Sequence, residues 1–122
     1  MILVVDDDPM VTTSLALLLK QAGYRSAAAA SPAEALQRLD HGDWQLVLQD
    51  MHFSRWASGE EGLELLAEIK GRQPQVPVVL MASWDSDDLA AQGLRAGAAD
   101  FVIKPWTNEQ ILRVVKGALG PA

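Results

Sequence analysis

Ile2-Leu3-Val4-Val5-Asp6-Asp7-Asp8-Pro9 is the stretch on which the fold turns: four aliphatic residues, three acids and a proline. An unbroken apolar run, rather than an alternating one, is the pattern of a parallel strand buried on both faces. Asp8 can then cap a helix whose first position is Pro9. The same unit recurs along the chain. Apolar runs stand at Leu46–Gln49, Val78–Met81 and Phe101–Ile103, and a weaker one at Arg25–Ala29, whose alanines favour helix.

Helical spacing fills the intervals. Val11, Leu15, Leu18 and Ala22 fall on one face of a first helix that Gly23 ends. Ser31-Pro32-Ala33-Glu34 has the form of a capping box, followed by Ala35, Leu36 and Leu39. A third helix is expected from Glu61 to Gly71, burying Leu65, Leu66 and Ile69, with Pro74 and Pro77 beyond it. A fourth spans Ser86 to Ala96 and stops at Gly97. A fifth starts at Thr107 or Asn108 and carries Ile111, Leu112, Val115 and Leu119 on one side. Five such strand–helix units predict an α/β domain: one parallel sheet with helices on both faces, joined by right-handed crossovers.

Composition bounds what such a domain can do. The 122 residues are 49% hydrophobic and 21% charged, the size and balance of one domain with a sizeable core. No cysteine is present, which excludes disulfides, thiolate metal sites and cysteine nucleophiles and agrees with a cytoplasmic setting. His41 and His52 are the only histidines, too few for a multi-histidine centre. Ten basic against sixteen acidic residues give a net charge of −6, which argues against nucleic-acid binding by this domain. The start lacks the basic segment of a signal peptide, and the Leu-rich run at Leu15–Leu19 is too short to span a bilayer.

In a doubly wound sheet, ligands sit beyond the carboxyl ends of the strands. Those ends read Asp6-Asp7-Asp8, Asp50, Ala82-Ser83 and Lys104-Pro105. Taken singly, each has an ordinary explanation: a helix cap, a loop acid, a turn whose proline is trans or cis. Together they converge several carboxylates and one ammonium on one edge. Two carboxylates ~4 Å apart repel by roughly 4 kcal/mol at an effective dielectric of 20, so the cluster calls for a cation. Magnesium, which takes oxygen ligands and shares them with phosphate, suits this inventory, and an aspartate can itself accept a phosphoryl group.

With these residues the sequence resembles the receiver domain of two-component response regulators. The resemblance runs from Ile2-Leu3-Val4-Val5-Asp6-Asp7 through Leu46-Val47-Leu48-Gln49-Asp50 to Ala96-Gly97-Ala98-Ala99-Asp100-Phe101 and Lys104-Pro105. It implies a five-stranded flavodoxin-like sheet of order 2-1-3-4-5. It also implies magnesium- or manganese-dependent transfer of a phosphoryl group from a sensor histidine kinase, or a phosphotransfer protein, to Asp50. Asp7 would bind the metal directly, Asp6 directly or through water, and His52 through its backbone carbonyl. Lys104 would contact the phosphoryl oxygens. Phe101 matches the family's switch aromatic, and the face of fourth helix, fifth strand and fifth helix, with Arg95, Asp100 and Arg113, is the family's usual dimer or output surface.

Two departures stand out against that family. Where receivers place Thr or Ser at the end of the fourth strand, this chain has Ala82, and the neighbouring Ser83 could substitute only through a shift or bulge of the strand. The segment Met51–Gly59 is longer than usual and lacks the customary proline. Met51-His52-Phe53 with Gly59-Glu60-Glu61-Gly62 resembles receivers of sigma-54-type transcription activators. Arg55 and Trp56 could cover the acidic pocket or belong to a surface loop, Trp84 and Trp106 could adjoin the site or pack beneath loops, and His41 is expected to be exposed. Ala82 keeps open a receiver-like binding module that works without phosphorylation. A small phosphatase with an aspartyl nucleophile is a remote alternative, because Met10 stands where that family has Thr or Val. The ending Gly117–Ala122 fits either a separate receiver or one excised from a longer regulator.

Overall fold

The computed structural model describes residues 1–51, 60–83 and 87–120. Among the described residues, five strands alternate with five helices: β1 (Ile2–Val5), α1 (Pro9–Gln21), β2 (Ser26–Ala29), α2 (Pro32–Leu39), β3 (Leu46–Asp50), α3 (Glu60–Arg72), β4 (Val78–Ser83), α4 (Asp87–Arg95), β5 (Asp100–Lys104) and α5 (Asn108–Leu119). All pairings are parallel, and the order across the sheet is β2-β1-β3-β4-β5. The expected fold is therefore present. β3, β4 and β5 run one or two residues further than their apolar runs, so that Asp50, Ser83 and Lys104 belong to strands.

The two-residue period of the strands sorts the core into two layers. Leu3, Val47 and Leu80 face α2 and α3, meeting Ala35, Leu39, Leu65, Leu66 and Ile69. Ile2, Val4, Leu48, Met81 and Val102 face α1 and α5, meeting Leu15, Leu19, Ile111 and Val115. In α1 the fully buried residues are Leu15 and Leu19, whereas Ala22, expected inside, is exposed and serves as the C-cap. Gly23 follows at φ +93°, a conformation that favours glycine and lets the chain leave the helix toward β2.

The caps follow the sequence with one change of partner. Asp8 accepts from the Met10 N–H at the start of α1. Ser31 accepts from the Glu34 N–H, but Glu34 reaches back to the Ala30 N–H instead of closing the box on Ser31. A complete capping box stands at α5, where Thr107 and Gln110 satisfy each other's backbone N–H groups. The expected exposure of His41 is observed. Leu66→Ala, in the fully buried seam between α3 and the sheet, is expected to cost about 2–5 kcal/mol in urea denaturation; a loss below about 1 kcal/mol would mean that this seam is not packed as described.

Candidate functional site

Three strands deliver one charged residue each to the same edge, one two-residue step beyond the core layer that faces α1 and α5. Val4 is followed by Asp6, Leu48 by Asp50 and Val102 by Lys104. Asp6 and Asp50 are each only 2% exposed. The Lys104 Nζ lies 3.0 Å from Asp6 Oδ2 and 3.4 Å from Asp50 Oδ1, bridging two carboxylates far apart in sequence. Trp106 places its ring 6.0 Å from the same ammonium, as expected for a residue adjoining the site, and packs partly buried against the core layer beside it. The Lys104–Pro105 peptide is cis.

Asp6 has a second anchor, since its Oδ1 accepts the Asp8 N–H at 2.9 Å and thereby fixes the turn into α1. Asp7 beside it is exposed. One carboxylate oxygen from each of Asp6, Asp7 and Asp50 can be chosen so that all three lie within 4.8 Å of one another. Oxygens bound to one magnesium ion at about 2.1 Å stand roughly 3 Å apart when adjacent and roughly 4 Å when opposite, so a slight closing of this set would suit the ion. The charges agree with the geometry. Three carboxylates and one ammonium leave two negative charges over, the charge of one divalent cation.

Burial alone would lower the Lys104 pKa. The attraction of Asp50 and the hydrogen bond and charge of Asp6 outweigh it, and hold the ammonium above the ordinary lysine value. Because folding raises this pKa, the associated stabilisation is complete at neutral pH, below the unfolded value, and is lost only as pH climbs through the folded one.

The remaining expected residues divide between described and undescribed parts. Ala82 is fully buried on the opposite side of the sheet, in the layer against which Phe101 and Ile103 pack. The β4–β5 ladder stays in register through Ala82↔Ile103 and Ser83↔Lys104. The Ser83 side chain, His52, Arg55, Trp56 and Trp84 lie outside the described residues. Arg95, Asp100 and Arg113 are exposed on α4, β5 and α5. Sequence reasoning did not single out Gln49, which is fully buried and donates to the Gly62 carbonyl at 2.7 Å. Its signal was present, as the one polar side chain inside the apolar run that ends in Asp50.

The sequence model of the family described as "Response regulator receiver domain" matches residues 2–116. The chain belongs to that family. This receiver is 37% identical over 118 residues to the transcriptional regulatory protein ZraR of Klebsiella oxytoca, covering 97% of this chain and 26% of that protein. It is 33% identical over 120 residues to the response regulator protein FleR of Pseudomonas aeruginosa, covering 98% of this chain and 24% of that protein. The chain thus spans about a quarter of the curated relatives it matches. Among solved structures, the receiver domain of NtrX from Brucella abortus superposes with a TM-score of 0.90 at 32% identity, each chain covered to 98%. Among the described residues of the receiver, no helix is long and apolar enough to cross a membrane.

If Asp6 and Asp50 hold the lysine as described, Asp6→Asn lowers the Lys104 pKa back toward the ordinary lysine value, a shift readable by NMR titration of the lysine side chain. An unchanged pKa would contradict the bridging geometry.

Proposed function

We propose that this receiver is a phosphoacceptor switch in which Asp50 takes a phosphoryl group from the phosphohistidine of a sensor kinase or phosphotransfer protein. The observation that carries the reading is the Lys104 ammonium seated between Asp6 and Asp50 at the strand ends. An Asp50 carboxylate oxygen attacks phosphorus and forms the O–P bond, while the P–N bond to the donor imidazole breaks and its electron pair stays on nitrogen. Asp6 and Asp7, with Asp50 and the backbone carbonyl of His52, would hold Mg2+ or Mn2+. When bound, that ion supplies positive charge to the phosphoryl oxygens, so that one anion can approach another.

Lys104 does the complementary work from the protein side. In the resting domain its ammonium is shared by two carboxylates. Once Asp50 carries the phosphoryl group as an acyl phosphate, the phosphoryl oxygens are the nearest concentrated negative charge, and a pivot of the flexible side chain brings Nζ to them. Hydrolysis of the acyl phosphate returns the switch to rest, as a slow autophosphatase step rather than turnover of a substrate. The resemblance of Met51-His52-Phe53 and Gly59-Glu60-Glu61-Gly62 to sigma-54-type activators supports an output domain of that class in the full protein. The exposed Arg95, Asp100 and Arg113 support pairing of two copies through α4, β5 and α5.

Ala82 favours a second reading. It offers no hydroxyl to an acyl phosphate, and in that reading the domain binds its partner without being phosphorylated. Intact-mass analysis after incubation with acetyl phosphate separates the two. We expect a phosphoryl adduct that requires Mg2+ and is absent from Asp50→Asn. Folded protein that binds Mg2+ yet gains no mass with either of two phosphodonors would support the binding module instead.

A further inference from the structure

Gln49 is fully buried in β3, on the strand face of Val47 and next in sequence to the acceptor Asp50. Its Nε2 donates to the carbonyl of Gly62, in the first turn of α3. Only the amide nitrogen can donate to a carbonyl, which fixes the orientation of the side chain. No described residue donates to its Oε1. A buried acceptor left in this way costs about 1–3 kcal/mol, and an apolar side chain of similar volume would pack the position without that cost. Stability alone therefore does not account for glutamine here.

The same helix turn presses on the chain just after the acceptor. A Cβ on Gly62 would stand 2.7 Å from the Met51 carbonyl oxygen and 2.9 Å from the Met51 Cα, so glycine is what lets α3 approach that backbone. Gln49 and Gly62 together join the two ends of the segment between β3 and α3, on either side of Asp50 and Met51. We propose that Gln49 is a positioning residue for the metal site: its brace to Gly62 fixes the backbone at Asp50 and Met51, and with it the placing of the acceptor carboxylate as an oxygen ligand. The proposal rests on the reading of Asp50 as a metal ligand given above. Magnesium demands near-ideal octahedral geometry, so a ligand backbone released by even about 0.5 Å binds it less well.

Binding of Mg2+ alone, followed by calorimetry on protein shown by circular dichroism to be folded, tests this. Gln49→Met keeps volume and removes the brace, Gly62→Ala pushes on its other end, and Asp7→Asn is the control that loses the metal. Gln49→Met is expected to weaken Mg2+ binding about tenfold, the scale on which removing a group that orients a ligand acts. Gly62→Ala is expected to act in the same direction, and the double variant to bind no worse than the weaker single one. Phosphorylation of Gln49→Met by acetyl phosphate would require more Mg2+ but recover near the unmutated rate at saturation. A folded Gln49→Met with unaltered Mg2+ affinity would overturn the proposal, whatever its melting temperature. If the unmutated protein itself binds no Mg2+, the reading of the site fails and this inference falls with it.

Discussion

The edge of the sheet is organised by one electrostatic constraint: two nearly buried carboxylates, Asp6 and Asp50, are tolerated side by side because Lys104 stands between them. Without a counter-charge, like charges at this range repel by several kcal/mol at an effective dielectric of about 20. The lysine does not close the account. With Asp7 the edge keeps a negative excess, and one oxygen from each of Asp6, Asp7 and Asp50 lies where the three could hold a metal ion. Three strands with no local contact in sequence must therefore end in register. The parallel pairing of β1 with β3, β3 with β4 and β4 with β5 delivers this.

Much of this was legible in the sequence because the signals were of the kind that strands and caps impose. Ile2–Val5 and Leu46–Leu48 read as buried strand interior, and the acids after them as strand ends. Asp8 with Pro9 and Gly23 punctuated the first helix correctly. Less legible were features that depend on which neighbour comes within reach. Ser31 and Glu34 have the spacing of a capping box, yet Glu34 bonds Ala30, one residue earlier. Ala22 has the helical spacing of a core residue but stands at the helix end and is exposed. Gln49 was absorbed into the strand run because periodicity does not say where a buried amide finds its partner, and the Gly62 carbonyl lies across an intervening segment.

The acid edge and Ala82 stand on different faces of the sheet. Asp6, Asp50 and Lys104 extend the layer toward α1 and α5, whereas Ala82 lies in the layer that Phe101 and Ile103 join. Alanine at position 82 offers no hydroxyl on that face. On that same face Gln49 adds a hydrogen bond from β3 to the Gly62 carbonyl of α3.

We propose Asp50 as the point of phosphoryl attachment, served by Asp6, Asp7 and Lys104. A crystal structure of the protein with Mg2+ and beryllofluoride, a stable mimic of the phosphoryl group, tests this most directly. Beryllium is expected to bond to an Asp50 carboxylate oxygen, with Mg2+ held by Asp6 and Asp7 beside it and the Lys104 ammonium moved from the carboxylates to a fluoride. Beryllofluoride bound elsewhere, or bound at Asp50 with Lys104 turned away from it, would contradict the account.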